Sequence, residues 1–148
     1  ITFAKVDRGS SDYALKVSHP SHNKNIYAFT TEPFNAVDTL PKKIKFELAT
    51  DQTSKMSINI NCPNGTAPAD QVQVFYNFDS ASKTFKNAAQ NNYDNVIDFG
   101  DTDFHQTEIV VGPELTTEMW NSAKQCLLEF KSGKNVNFNI KIDNVIVE

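Results

Sequence analysis

One arginine, one tryptophan, two cysteines, two methionines and five glycines in 148 residues already narrow what this chain can be. A nucleic-acid partner calls for clustered Lys and Arg. Here the single arginine is Arg8, no basic run occurs and the net charge is -4, so no nucleic acid is expected. No apolar stretch approaches the roughly 20 residues of a membrane-spanning helix, and no segment reads as a signal peptide. The histidines His19, His22 and His105 lack metal-ligand partners at helical or cysteine spacing, and no G-x-S-x-G elbow occurs. Asp98-Phe99-Gly100 shares its letters with the kinase magnesium motif, but neither the glycine loop nor the catalytic loop accompanies it. The chain therefore reads as non-enzymatic. Helical patterning is scarce too, with only Thr116 to Ala123 offering a turn or two behind a threonine cap.

What is present is alternation. Tyr13, Leu15 and Val17 alternate with Ala14 and Lys16; Ile44, Phe46 and Leu48 with Lys45 and Glu47; Met56, Ile58 and Ile60 with Ser57 and Asn59; Val72, Val74, Tyr76 and Phe78 with Gln73, Phe75 and Asn77. Further strand-like runs cover 26–31, 96–99, 107–111 and 125–131, separated by turn signals such as 8–12, 51–54 and 132–135. The stretch 79–95 reads as a long loop or a short extra hairpin. One domain is expected over 1–148, all-β, a two-sheet antiparallel sandwich of jelly-roll type. A chain of this length buries roughly 70% of its unfolded surface and needs no staple. Starting at Ile1 rather than Met, it reads as a piece of something longer.

The closing strand breaks phase. Val136, Phe138, Ile140 and Ile142 are even-numbered, whereas Val145 and Val147 are odd, so one extra residue is absorbed near Asp143-Asn144. A β-bulge does this, and bulges often re-aim a functional side chain. The faces opposite the apolar stripes are rich in amides: Gln71, Gln73 and Asn77; Asn59 and Asn61; Asn137 and Asn139. An amide offers a donor and an acceptor in one plane, which suits paired sugar hydroxyls, and Phe75 among them offers a flat apolar platform. Trp120, Tyr93, Tyr27 and Phe29 are further platform candidates, although a lone Trp more often caps a core. An Asn-rich chain would also scatter amides without purpose. Asp98, Asp101 and Asp103 could ligate calcium, pair with Glu108 as glycosidase carboxylates, or form an exposed acidic turn, which is the reading favoured. Cys62 and Cys126 are compatible with a disulfide or with two buried thiols.

Two stretches carry a family resemblance. Residues 9–17 (GSSDYALKV) resemble the first-strand motif, and residues 141–145 (KIDNV) the closing motif, of jelly-roll carbohydrate-binding modules appended to xylanases and glucanases, within the galactose-binding-like class. The strands at 43–50, 107–120 and 126–131 fall in the matching order. The resemblance implies a secreted or surface-exposed, non-catalytic module that holds a larger multidomain protein on a polysaccharide or oligosaccharide. It implies a structural calcium held by Asp143, with Asp7, Gly9 or Asp12 in support. The ligand contacts would come from Phe75, Trp120, Tyr93, Gln73, Asn59, Asn137 and Asn139. The segment 62–104 is longer than the family usually has. The alternative is a structural or protein-binding β-domain without sugar binding. A small jelly-roll lyase or hydrolase is a third reading, but the convergent His, Tyr, Arg or Glu set it needs is missing.

Overall fold

The computed structural model describes residues 2–9, 12–19, 27–30, 40–63, 71–117, 126–133 and 138–148. Within them the chain forms ten strands: Thr2–Gly9 (β1), Asp12–His19 (β2), Tyr27–Thr30 (β3), Lys43–Thr50 (β4), Ser57–Pro63 (β5), Gln71–Asp79 (β6), Thr84–Ala88 (β7), His105–Val110 (β8), Leu127–Ser132 (β9) and Phe138–Val147 (β10). They belong to one sheet in the order β1-β2-β10-β4-β8-β7-β6-β5-β9-β3. The ladders are antiparallel except between β7 and β8, which meet in a single parallel pair, Phe85 with Ile109. The all-β class is as expected. The described strands, however, make one hydrogen-bonded mixed sheet curled into a half-barrel.

The curl follows from the pattern of side chains. Ile44, Phe46 and Leu48 of β4, Ile58 and Ile60 of β5, Val74, Tyr76 and Phe78 of β6, and Phe138, Ile140 and Ile142 of β10 are all buried on one face. Phe46 reaches across the inside of the curl. Its ring centroid lies 5.8 Å from Phe85 and 6.1 Å from Phe130, an edge-on contact in the second case. Phe85 meets Phe78 at 5.4 Å, and Phe99 from the connection before β8 meets Phe78 at 5.1 Å.

The bulge lies where the phase break puts it. Asp143 pairs with Glu47 but Ile146 pairs with Lys45, so β10 spends three steps against two on β4. Asn144 absorbs the extra residue with a φ of 50°. The strand β1 was not marked by alternation at all. The 79–95 stretch takes the hairpin alternative, since β7 turns back to pair antiparallel with β6. The run 96–99 contributes only an isolated bridge between Lys55 and Val96. Cys62 and Cys126 are bonded, which closes a loop of sequence separation 64 between β5 and the start of β9. Most of the helix expected over 116–123 lies outside the described residues.

Candidate functional site: the polar face of β5, β6 and β9

β5 lies between β6 and β9. Register places Asn59 beside Phe75 of β6 and beside Glu129 of β9, while Asn61 pairs with Gln73 and Ser57 with Lys131. The amides and the aromatic therefore do share one face, opposite the core. That face was expected to be wet, and along β5 it is not. Ser57 and Asn59 have no exposure, and Asn61 and Glu129 keep 5% and 8%. Leaving such groups unpaired would cost about 1–3 kcal/mol each, and they find partners on this face. Asn61 Nδ2 donates to Glu129 Oε1 at 3.2 Å, and Lys131 Nζ lies 2.9 Å from Glu129 Oε2. Ser57 Oγ donates to Asn91 Oδ1 at 2.8 Å, and Asn91 Nδ2 donates to the Tyr93 hydroxyl at 3.0 Å.

The asparagines after β7 explain much of this burial. Asn95 Oδ1 accepts from the Phe78 amide at 2.6 Å and its Nδ2 donates to the Phe78 carbonyl at 3.2 Å. The Asn92 amide donates to Asn77 Oδ1 at 3.3 Å. Side-chain amides thus pin the 89–97 connection against β5 and β6 with hydrogen bonds that a strand would otherwise supply. Gly133 fits the same packing, because a β-carbon there would meet the Tyr93 β-carbon at 3.0 Å. Above this floor Gln73, Phe75, Asn77, Asn91, Tyr93 and Lys131 form a half-buried rim.

Of the residues chosen from sequence, Asn59, Gln73, Phe75 and Tyr93 come together here. Asn139 does not. It lines a separate hollow of about 140 Å³ with Thr50, Asp51, Thr102 and Lys141. Trp120 and Asn137 lie outside the described residues. The contributions of Glu129, Lys131 and Asn91 were missed, although Glu129 and Lys131 do alternate with Leu128 and Phe130 along β9.

A second cluster gathers at the bulge. Arg8 Nη1 lies 2.5 Å from Asp143 Oδ2, 2.5 Å from Glu47 Oε2 and 3.7 Å from Asp12 Oδ2. Its guanidinium also stacks 4.2 Å from the Phe104 ring centroid. Asn144, turned outward by the bulge, donates to Glu47 Oε2 at 2.9 Å. Asp143 and Asp12 therefore converge, on a guanidinium. Asp7 stands apart, its Oδ1 accepting from the Gly9 amide at 2.7 Å. Calcium wants six to eight oxygens around an open centre. The described residues offer three carboxylates around a centre that Arg8 fills, and as arranged they do not fit the ion.

The Asp98, Asp101 and Asp103 stretch is exposed and its carboxylates serve local turns. Asp98 Oδ1 accepts from the Gly100 amide at 2.7 Å and Asp101 Oδ1 from the Asp103 amide at 2.9 Å. Asp101 also lies 2.6 Å from His105 Nε2, and this partner, more than the Asp103 amide, holds its carboxyl below the usual range. A groove of about 550 Å³ opens on the outer side of β4 and β8, lined among others by Lys45, Glu47, Ser82, Gln106, Asn144 and Ile146. Most of its charges are paired within the protein, Lys45 with Glu148 at 2.7 Å and Lys43 with Glu108 at 2.8 Å, while Lys83 donates to the Asp98 carbonyl at 2.7 Å. Comparison with family models, curated proteins and solved structures gives no match.

Proposed function

We propose that this chain is a non-catalytic glycan-binding module of jelly-roll type that holds a larger, secreted or surface-attached protein on a polysaccharide. The observation that carries the reading is the ordered rim of Gln73, Phe75, Asn91 and Tyr93 above a buried floor in which Asn61 is bonded to Glu129 and Asn59 lies between Phe75 and Glu129. Amide planes fixed before the ligand arrives lose little side-chain entropy on binding, and Phe75 offers an apolar surface to the C–H side of a sugar ring. In this reading the halves β1-β2-β10-β4-β8 and β7-β6-β5-β9-β3 are the two leaves of a jelly roll, facing across Phe46 and Phe130. A disulfide between Cys62 and Cys126 suits an oxidising compartment. Affinity from so few contacts would be micromolar or weaker, on the order of -8 kcal/mol at best.

The test is a broad glycan array probed with the folded chain, followed by Phe75→Ala. A specific glycan whose binding disappears in Phe75→Ala, with the circular dichroism spectrum unchanged, supports the module and its platform. Binding that survives Phe75→Ala but fails in Gln106→Ala would move the site to the groove on β4 and β8. A second reading, a structural or protein-binding β-domain, draws on the complete burial of Ser57 and Asn59, since polar side chains engaged in packing need no ligand. A blank array from folded protein selects it. Calcium would belong to either reading only where Arg8 leaves the carboxylates free.

A further inference from the structure

One corner of the polar face is arranged for a reaction. Glu129 and Lys131 stand two residues apart on the same side of β9, and Asn59 stands directly across from Glu129 on β5. Asn59 has no exposure, and the side chains of Lys131 and Glu129 keep only 12% and 11%. The Lys131 nitrogen lies 2.9 Å from Glu129 Oε2. The Asn59 amide has one orientation that satisfies both its ends. In it Oδ1 accepts from Lys131 Nζ at 2.9 Å, while Nδ2 donates to the Ile58 carbonyl at 3.1 Å and to Asn91 Oδ1. In the other orientation Nδ2 donates to Gln73 Oε1 at 3.4 Å, and the same terminal position of the amide still faces Lys131. Phe75 flanks Asn59 on the side away from Glu129. An amine, a carboxamide carbon one bond beyond that contact and a carboxylate touching the amine thus meet in a largely buried corner.

We propose that Lys131 and Asn59 become joined by an intramolecular amide bond, with Glu129 as the proton carrier. Glu129 takes a proton from the Lys131 ammonium, and the neutral amine adds to Cγ of Asn59. The bond from Cγ to Nδ2 then breaks. Glu129 returns its proton to the departing nitrogen, which leaves as ammonium with the second proton of the former amine. A lysine ammonium and a carboxamide become a secondary amide and an ammonium ion; nothing is oxidised or reduced, and Glu129 ends as it began. Each part has a physical reason. Holding the two groups at contact distance replaces a bimolecular encounter, which is worth many orders of magnitude in effective concentration. A carboxylate already touching the amine is positioned for general base and then general acid work. Asn61 steadies it by donating to its other oxygen at 3.2 Å. The bond would tie β5 to β9 on the outer face, as Cys62–Cys126 ties the same strands toward the core, but it would survive reductant. Glycan binding is not a premise of this chemistry.

The experiment is intact-mass spectrometry of the whole folded chain under reducing conditions, followed by proteolytic mapping. The expected mass is about 17 Da below that of the sequence, the loss of one ammonia. Mapping should return a branched peptide that contains both residue 59 and residue 131. Lys131→Arg and Glu129→Gln should each return the full sequence mass. A wild-type chain at full sequence mass overturns the proposal, as does an ammonia loss that maps to any other residue. The wild-type mass decides alone, so a variant that fails to fold does not leave the question open.

Discussion

Arg8 is held from three sides by Asp143, Glu47 and Asp12, with Phe104 beneath its guanidinium. Asp143 first, and then Glu47, hold its proton more tightly than a free guanidinium would hold it, against the opposing pull of desolvation. Removing the cation would leave three carboxylates facing one another with no counter-charge. Arg8→Ala should therefore lower the melting temperature, and Glu47→Gln added to it should recover part of the loss. Arg8→Lys should fall between wild type and Arg8→Ala, because a lysine keeps the charge but gives up the planar stacking on Phe104. The same geometry predicts that chelator and added calcium leave the wild-type melt unmoved, while Arg8→Ala gains stability from calcium. A wild-type shift with calcium would show that Arg8 yields its place. Asp79 offers a pH test in a different corner. Lys86, and after it Ser82, hold its carboxyl down at about 2. A folded-state pKa below the unfolded value means stability that is present above the unfolded pKa and lost as pH falls through the folded one. The Asp79 contribution should therefore fade from about pH 4 toward pH 2. Thermal melts across that window should show a shallower acid decline in Asp79→Asn than in wild type.

The elements show which parts of this structure were legible beforehand. Strict alternation marked β4, β5, β6 and β10 because in a strand the side-chain period is 2 and one face here is core. The bulge at Asp143-Asn144 was legible for the same reason, as a change of phase that only an inserted residue explains. Alternation reports residue type, however, and not what lies on top. That is why the amide face of β5 read as wet, although the 89–97 connection packs on it through Asn91 and Asn95. β1 escaped notice because its Thr2-to-Gly9 run is short of apolar residues, and it is an edge strand whose pairing with β2 carries it. Asn59, Gln73 and Phe75 were correctly grouped by strand, but Glu129 and Lys131 came from register with β9, which a single sequence does not print. The same two strands carry the third prediction. Closing a loop of separation 64 removes entropy from the unfolded chain worth about 4 kcal/mol. Cys62→Ala with Cys126→Ala should cost that much in the Lys131→Arg background. If β5 and β9 are already joined through Asn59 and Lys131, the disulfide closes only a short residual loop, worth about 2.5–3 kcal/mol. The double cysteine variant should then cost about 1.5 kcal/mol less in the otherwise wild-type chain, as read by urea denaturation of the four proteins.

At the scale of the whole molecule, the sheet is continuous, yet among the described residues its two halves are joined by one strand pairing between β7 and β8, the Phe85–Ile109 pair. Hydrogen bonding at that seam is too slight to make the halves one cooperative unit. The rings of the core do it instead. Phe46 of β4 reaches Phe85 of β7 and Phe130 of β9, so each half provides the apolar surface that covers the other. Neither half has a second layer of its own among the described residues, and a sheet with one uncovered apolar face is not stable alone. Phe46→Ala should thus cost about 3–5 kcal/mol, the range for a large buried aromatic whose cavity cannot fully collapse. Unfolding of this variant in urea should remain a single transition at lower denaturant, with the same midpoint by near- and far-ultraviolet circular dichroism. Ile146→Ser serves as the contrast, since Ile146 is 51% exposed on the outer face and its loss should fall within about 0.5 kcal/mol of wild type. Two separated transitions in Phe46→Ala would mean that each half holds its own structure, and the curled sheet would then be two domains meeting at a seam rather than one core closed by Phe46.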